Sequence, residues 1–348
     1  MNDVFLPGPR ATRATRATIA EVAAAAGVSK ASVSRYISDD RRLLSDSLAA
    51  RIEQAVVALD FQPNQMARGL KRGRSRLIGM LVADLLNPYS TSVMHGVETA
   101  CRQQGYSLLI CNTDQDARQE RQQLAALQSY SVEGLIVNTF GQHAADLRHL
   151  GSRLPLVLLD RELPGVEADL VGLDNHQAIA DGVAHLQRQG YRDLLLVSEP
   201  LDGTSSRHQR LTAFDAALTE HPDCRGGHCA QADDALALQK ALATFLASPG
   251  PGPKALLSAN GVATLATTLA LQALGEPLFE RLGLLALDDL DWFPLVGGGI
   301  SALAQPTHAL GIAAFERLQR RIDGDRSAPV QQTFGAELRI RQSTRART

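Results

Sequence analysis

From Leu77 onward, apolar runs of four to seven residues alternate with stretches of helical periodicity, and this rhythm limits the folds open to the chain. The runs are Leu77–Ala83, Ser107–Cys111, Gly134–Asn138, Leu154–Leu159, Leu170–Leu173, Asp193–Val197, Lys254–Ser258, Leu282–Leu287 and Ile300–Leu303. Continuously apolar strands separated by helices predict parallel sheets covered on both faces. The stretch is too long for one such unit, so two lobes are expected. In open α/β sheets ligands bind beyond the carboxyl ends of the strands. That rule singles out Asp84, Asn138, Asp160, Asp174, Asn260 and Asp288-Asp289. No G-x-G-x-x-G follows the first run and no G-x-x-x-x-G-K-S/T occurs, so a nucleotide site would lack its phosphate cradle. No Ser/His/Asp constellation stands at motif spacing, no cofactor is expected, and the chain reads as a non-enzyme.

The residues before Leu77 have a different character. Residues 1–76 carry 13 Lys/Arg against 7 Asp/Glu, whereas the remainder carries 22 against 30. A basic head on an acidic body suggests a polyanionic partner for the head alone; the alternative is a solvated basic tail. Residues 1–17 read as a flexible basic arm. Thr18 and Glu21 form a capping box, with Ile19, Val22 and Ala23 on the inward face of a first helix. Gly27 stops that helix. Ser29 can cap a second helix, Lys30 to about Ser38, with Val33 and Ile37 inward. A third runs from Ser45 or Asp46 to Asp60, with Leu48, Ile52, Val56 and Leu59 inward. Helix, glycine turn and helix, braced by a third helix, is the outline of a major-groove reader. Pro63 then ends the head, and Asn64–Leu70 predicts a helix too short to be stable alone; the alternative is a plain linker.

The string AEVAAAAGVSKASVSR, Ala20–Arg35, resembles the DNA-binding head of the LacI/GalR family, and PNQMARGLKRG resembles its hinge. The likeness continues through LIGMLVADLLNPY (Leu77–Tyr89), VEGLIVN (Val132–Asn138), PLVLLDRE (Pro155–Glu162), Ser205-Ser206-Arg207 with Arg210, SANGVATLA (Ser258–Ala266) and LALDDLDW (Leu285–Trp292). It implies α + α/β architecture: a three-helix helix-turn-helix head and hinge helix, then a two-lobed periplasmic-binding-protein-like α/β core. The implied segments are 18–62 for the head, 63–76 for hinge and linker, 77–342 for effector binding and dimerisation, and 343–348 for a tail.

The resemblance further implies that Lys30, Ala31 and Arg35 read bases. Arg and Lys suit guanine, and Ala can touch only a thymine methyl. Ser29, Ser32 and Ser34 are short donors suited to phosphates; capping and solvation are the alternative. Asn64, Arg68 and Leu70 would serve the hinge, with Leu70 as a minor-groove wedge. In the body, Arg207 and Arg210 stand three apart on one helical face and could grip a carboxylate. The alternative is pairing with Asp202 or Glu199. Asn138, Asp160, Asn260 and Asp288 can serve hydroxyls, and Tyr89 or Trp292 could cover an apolar sugar face; core packing is the alternative for Trp292. SEPLDGTSSR and ALDDLDWFPLVG are similar to family members that govern 2-ketogluconate use.

The expected function is therefore a repressor that binds a pseudo-palindromic operator in double-stranded DNA as a homodimer and is released by a small anionic sugar derivative, 2-ketogluconate. Rivals are a same-fold regulator of a neutral sugar or nucleobase, with or without a co-repressor, a transport-type binding protein and a sugar-acid enzyme. No run reaches the roughly 18 apolar residues of a membrane span. Residues 1–18 lack the apolar core of a secretory signal, so a cytoplasmic location is expected. No heptad-rich extension follows Arg339, which favours a dimer. His221, Cys224, His228 and Cys229 match no usual zinc spacing; with Pro222 and Gly226-Gly227 they read as an exposed loop, and no metal is expected.

Overall fold

In the computed structural model, residues 17–62, 74–277 and 279–345 are described. Residues 1–16 of the expected 1–17 arm and the hinge positions Asn64, Arg68 and Leu70 lie outside them, while Ala17 packs against the head core. The chain divides into two units, Met1–Ser75 and Arg76–Thr348.

Among the described residues of the first unit there are three α-helices: α1 (Ile19–Ala26), α2 (Lys30–Ile37) and α3 (Asp46–Ala58). The capping box is formed, Thr18 N donating to Glu21 Oε2 at 2.7 Å and Glu21 N to Thr18 Oγ1 at 3.3 Å. Gly27 ends α1 at φ +61°, and Arg51 pins that turn by donating to the carbonyls of Ala26 (2.6 Å) and Gly27 (3.0 Å). Val22, Ala23, Ala26, Val33, Ile52, Ala55 and Phe61 make the core. Ile19 and Leu59, expected inward, are 39% and 36% exposed. Each lies at a helix end with no turn above or below to cover it, whereas Phe61, beyond the end of α3, is buried in the core. A 3₁₀ turn, Asp39–Leu43, joins α2 to α3 and was not anticipated.

The second unit contains two six-stranded sheets. The first comprises β1 (Leu77–Val82), β2 (Ser107–Asn112), β3 (Gly134–Asn138), β4 (Leu156–Leu159), β5 (Asp169–Leu173) and the late strand β11 (Gln331–Phe334), in the order β11-β5-β4-β3-β1-β2, all parallel. The second comprises β6 (Asp193–Val197), β7 (Arg225–Cys229), β8 (Lys254–Ser258), β9 (Leu282–Leu287), β10 (Ser301–Ala304) and β12 (Glu337–Arg339), in the order β12-β10-β9-β8-β6-β7. Only β12 runs antiparallel to its neighbour. The inner strands are buried on both faces, which explains their unbroken apolar sequences.

Helices α4 (Pro88–Gln103), α5 (Ala117–Ser129) and α6 (Ala144–Gly151) belong to the N-terminal lobe. Helices α7 (Asn175–Arg188), α8 (Ser205–Thr219), α9 (Ala235–Ala247) and α10 (Gly261–Ala273) belong to the C-terminal lobe. The last long helix, α11 (Thr307–Ile322), returns to the N-terminal lobe, where Leu310, Phe315 and Leu318 pack with Val93, Val97 and Ala100 of α4. The two helix backbones nearly touch at Gly96 and Gly311: a Cβ at Gly96 would collide with the carbonyl of His308. The chain thus passes between lobes three times, at Leu173–Asn175, Ala304–Thr307 and Phe334–Glu337.

Several boundaries differ from expectation. Strand β4 starts at Leu156, after Pro155, because proline supplies no ladder donor. The expected loop around Gly226-Gly227 is edge strand β7, whose pairing with β6 overrides its turn-like composition. Arg76 belongs to the body rather than to a linker: its amide donates to Glu133 Oε1 at 2.7 Å and its guanidinium lies 4.8 Å from the Tyr106 ring centre. The expected tail is docked through residue 344. Ser343 and Thr344 are buried, Ser343 Oγ donating to the Leu284 carbonyl at 2.6 Å and Thr344 Oγ1 meeting His185 Nε2 at 2.7 Å. No described helix is long and apolar enough to cross a membrane.

Candidate functional site

The carboxyl ends of the two sheets converge on a cleft bordered by Asn87, Tyr89, Asp160, Arg161, Ser206, Arg207, Arg210, Asn260, Asp288 and Gln305. Two aspartates anchor it from equivalent places in the two lobes. Asp160 directly follows β4 at φ +67°, and Asp288 directly follows β9 at φ +77°. Each amide stays tied to the next strand, Asp160 N to Val171 O (2.8 Å) and Asp288 N to Leu303 O (3.1 Å). The left-handed turn that follows lifts the chain off the sheet; Asp and Asn tolerate it better than most residues.

Helix α8 brings Ser206, Arg207 and Arg210 to the cleft. Arg210 is buried and well tethered: Nε donates to Asn175 Oδ1 and Nη1 to the Ala259 carbonyl, both at 2.8 Å, and Nη2 reaches Asp160 Oδ1 at 3.5 Å. Arg207 takes the pairing alternative, with Nη2 on Glu199 Oε1 and Nη1 on the Pro200 carbonyl, both at 2.6 Å. Burial draws the Arg207 guanidinium below its ordinary pKa, while Glu199 opposes that shift. Asn260 caps α10 by accepting from Ala263 N at 2.8 Å and donates to Glu199 Oε2 at 2.5 Å. Asp288 accepts from Gly261 N (2.9 Å) and Gln305 Nε2 (2.6 Å). Burial raises its pKa, against the lowering by that amide, Arg210 and Gln305. Burial, followed by the charges of Asp160 and Asp288, pushes the Tyr89 phenol well up, so it stays a hydrogen-bond donor at neutral pH.

Among the described residues, three buried polar atoms bordering this cleft have no hydrogen-bond partner: Tyr89 Oη, Arg161 Nη1 and Gln305 Oε1. Buried polar groups are normally paired, so donors and an acceptor without partners fit a polyhydroxylated polar ligand.

Of the residues expected here, the structure brings together Tyr89, Asp160, Arg207, Arg210, Asn260 and Asp288. It does not bring Asn138 or Trp292. Asn138 is 2% exposed and spends its amide donor on the Leu159 carbonyl at 2.9 Å, stitching β3 to β4. Trp292 packs edge-on against Phe293, ring centres 4.6 Å apart, in the C-terminal-lobe core. Asp174 caps α7, Asp84 accepts from Leu86 N, and Asp289 is held by Arg339 and Arg341. Asn87, Arg161, Ser206 and Gln305 were not anticipated. The strand-end rule that selects Asp160 also reaches Arg161, and applied after β10 it reaches Gln305. The His/Cys segment forms no ion cage: among the described residues no three His, Cys, Asp or Glu side chains cluster as metal ligands.

In the head, Lys30, Ala31, Ser34 and Arg35 share the exposed face of α2, opposite buried Val33. Ser29 Oγ accepts from Ser32 N at 3.1 Å, and the two hydroxyls lie 3.0 Å apart, so both take part in the cap.

Residues 75–344 match the family described as periplasmic binding proteins and sugar binding domain of LacI family, and residues 18–64 match bacterial regulatory proteins, lacI family. The chain belongs to the LacI family. It is a transcriptional repressor with a DNA-binding helix-turn-helix head and a periplasmic-binding-protein-like core. The HTH-type transcriptional regulator PtxS of Pseudomonas aeruginosa is 61% identical over 322 residues, covering 92% of this chain and 94% of that protein. The regulator KdgR of Bacillus subtilis is 36% identical, covering 90% and 93%. The lac repressor dimer bound to operator and the anti-inducer ONPF shares the LacI-family fold, with a TM-score of 0.82 at 21% identity over 95% of this chain and 100% of that one.

Proposed function

We propose that this LacI-family repressor binds a pseudo-palindromic operator as a homodimer and is released by a small sugar acid, 2-ketogluconate. The carrying observation is the chemistry of the cleft: three guanidinium groups beside unpartnered donor and acceptor atoms, with Asp160 and Asp288 as hydroxyl acceptors. Arginine suits a carboxylate, and the aspartates suit the hydroxyls of the same molecule. The effector set is then Tyr89, Asp160, Arg207, Arg210, Asn260 and Asp288, enlarged by Asn87, Arg161, Ser206 and Gln305. SEPLDGTSSR and ALDDLDWFPLVG favour 2-ketogluconate within that class.

Lys30, Ala31 and Arg35 read bases, Ser29, Ser32 and Ser34 serve phosphates, and Asn64, Arg68 and Leu70 serve the hinge. Ligand reorients the lobes and changes the spacing of the paired hinges, which weakens operator binding. Only a difference in affinity for the two states can do this; shifting 1:99 to 99:1 needs about 5.5 kcal/mol. The protein acts where the chromosome is, in the cytoplasm, and performs no catalysis.

Operator titration with and without 2-ketogluconate tests the reading. Weakened DNA binding is expected. Tighter binding would reverse the sign to co-repression, and unchanged DNA affinity at saturation would remove the effector assignment. A neutral sugar is the second reading, favoured by Glu199 neutralising Arg207 at 2.6 Å. Calorimetry against acid and neutral sugars separates the two.

A further inference from the structure

The three arginines of the cleft differ in how much hydrogen-bonding capacity they have left. Arg207 spends Nη1 and Nη2 on Pro200 and Glu199. Arg210 spends Nε and Nη1 on Asn175 and Ala259, and turns Nη2 towards Asp160. Both brace the C-terminal lobe through bonds of 2.6–2.8 Å to acceptors of their own lobe, and neither has a buried guanidinium nitrogen without a partner. Arg161 differs. Its Nε makes a long contact of 3.3 Å to Asp160 Oδ2, its guanidinium carbon lies 4.3 Å from the Phe140 ring centre, and its buried Nη1 meets no acceptor among the described residues. The side chain is 13% exposed, so little water is at hand to satisfy that atom.

A planar cation laid on an aromatic ring has one orientation, and its remaining edge is aimed before a ligand arrives. The stacking costs rotamer freedom in advance rather than on binding. Asp160 cannot neutralise its neighbours fully, because one carboxylate is shared between Arg161 at 3.3 Å and Arg210 at 3.5 Å. A second carboxylate arriving at Nη1 would meet an unfilled charged donor.

We propose that Arg161, not Arg207 or Arg210, carries the carboxylate of the effector and sets the preference for sugar acids over neutral sugars. This rests on the reading of the cleft as a sugar-acid site. It assigns Arg207 and Arg210 to positioning, and places the charged end of the ligand beside the N-terminal lobe, against Phe140.

The test is calorimetric titration of the full-length protein with 2-ketogluconate and with D-fructose, in which a hydroxymethyl group replaces the carboxylate. Arg161→Met is expected to weaken 2-ketogluconate about 10- to 100-fold and D-fructose far less, so that the acid-over-neutral preference collapses. Arg161→Lys keeps the charge but loses the fork, and is expected to fall between wild type and Arg161→Met. Thermal melts of each variant without ligand separate loss of recognition from loss of fold; should Arg161→Met melt early, Arg161→Lys carries the comparison. A variant with wild-type melting and an intact acid preference overturns the assignment while sparing the cleft reading. If wild type binds neither 2-ketogluconate nor any other aldonic or ketoaldonic acid, the cleft reading falls and this inference falls with it.

Discussion

Arg210 of the C-terminal lobe and Asp160 of the N-terminal lobe face each other across the cleft, Nη2 to Oδ1 at 3.5 Å, with both side chains almost fully buried. The contact is long because Arg210 is anchored behind by Asn175 and Ala259, at 2.8 Å each. Removing the guanidinium would strand two buried acceptors and an aspartate. Arg210→Ala is therefore expected to cost about 3 kcal/mol of stability, read as a lower midpoint in urea unfolding. A midpoint within error of wild type would show that the three partners find replacements.

Asp169 anchors the first return of the chain. It is buried and accepts from Arg321 (2.7 and 2.8 Å), Arg317 (3.4 Å) and the Val330 amide (2.8 Å). Burial raises its pKa, but the Arg321 bonds, the Val330 amide and the two arginine charges outweigh burial, so the net shift is downward. A carboxyl depressed in the folded state stabilises fully above its unfolded value, roughly pH 4, and that share is lost as pH falls through the folded one. Asp169→Asn should flatten the acid limb of the stability curve below about pH 4, as measured by denaturant midpoints across pH.

His185 gives a second pH signature. Burial, then the charge of Arg188, lowers its pKa, and its Nε2 meets Thr344 Oγ1 at 2.7 Å. Its contribution is complete above about pH 6.5, the unfolded value, and fades as pH falls towards the folded one. Thr344→Val should cost about 1 kcal/mol at pH 8, and His185→Gln should remove the slope just below pH 6.5.

The crossing of α4 and α11 leaves no room at Gly96. Gly96→Ala would drive a methyl group into the His308 carbonyl, which is backbone and cannot swing aside. A loss of about 1–3 kcal/mol is expected, seen as a lower melting temperature. An unchanged melt would mean that the two helices slide apart freely.

Arg35 stands exposed on α2 with Lys30 and Ala31. Arg35→Ala is expected to weaken the specific operator by about 1–3 kcal/mol and relax preference at one base position, read by gel shift on single-base operator variants. Unaltered preference would remove Arg35 from the reading set.

What could be read in advance follows where side chains face. Strands β1, β3, β6, β8 and β9 are buried on both faces and announce themselves as apolar runs. Strands β7, β11 and β12, with sequences RGGHC, QQTF and ELR, lie at sheet edges and are largely exposed; pairing alone makes them strands, and pairing leaves little trace in composition. The cleft was legible through Asp160, Arg207, Arg210 and Asp288 because polar residues at strand ends and one arginine-bearing helix face stand out. Asn138 obeys the same rule and fails, since its side chain turns sideways to the neighbouring strand. Arg161 was passed over because it stands one residue beyond Asp160, and Gln305 because the run ending at Leu303 is short and no residue after it was singled out.

The three crossings between lobes have a consequence for how such a protein can be cut or recombined. A fragment spanning 76–174 would hold five of its six strands, yet lack α11 and β11, which come from beyond residue 300. Its sheet would expose the face that Phe315 and Leu318 cover. Neither half of the effector unit is a continuous stretch of gene, so exchanging one half with a relative requires splicing at three seams at once. Specificity in this architecture is more easily altered residue by residue around the cleft than by trading modules.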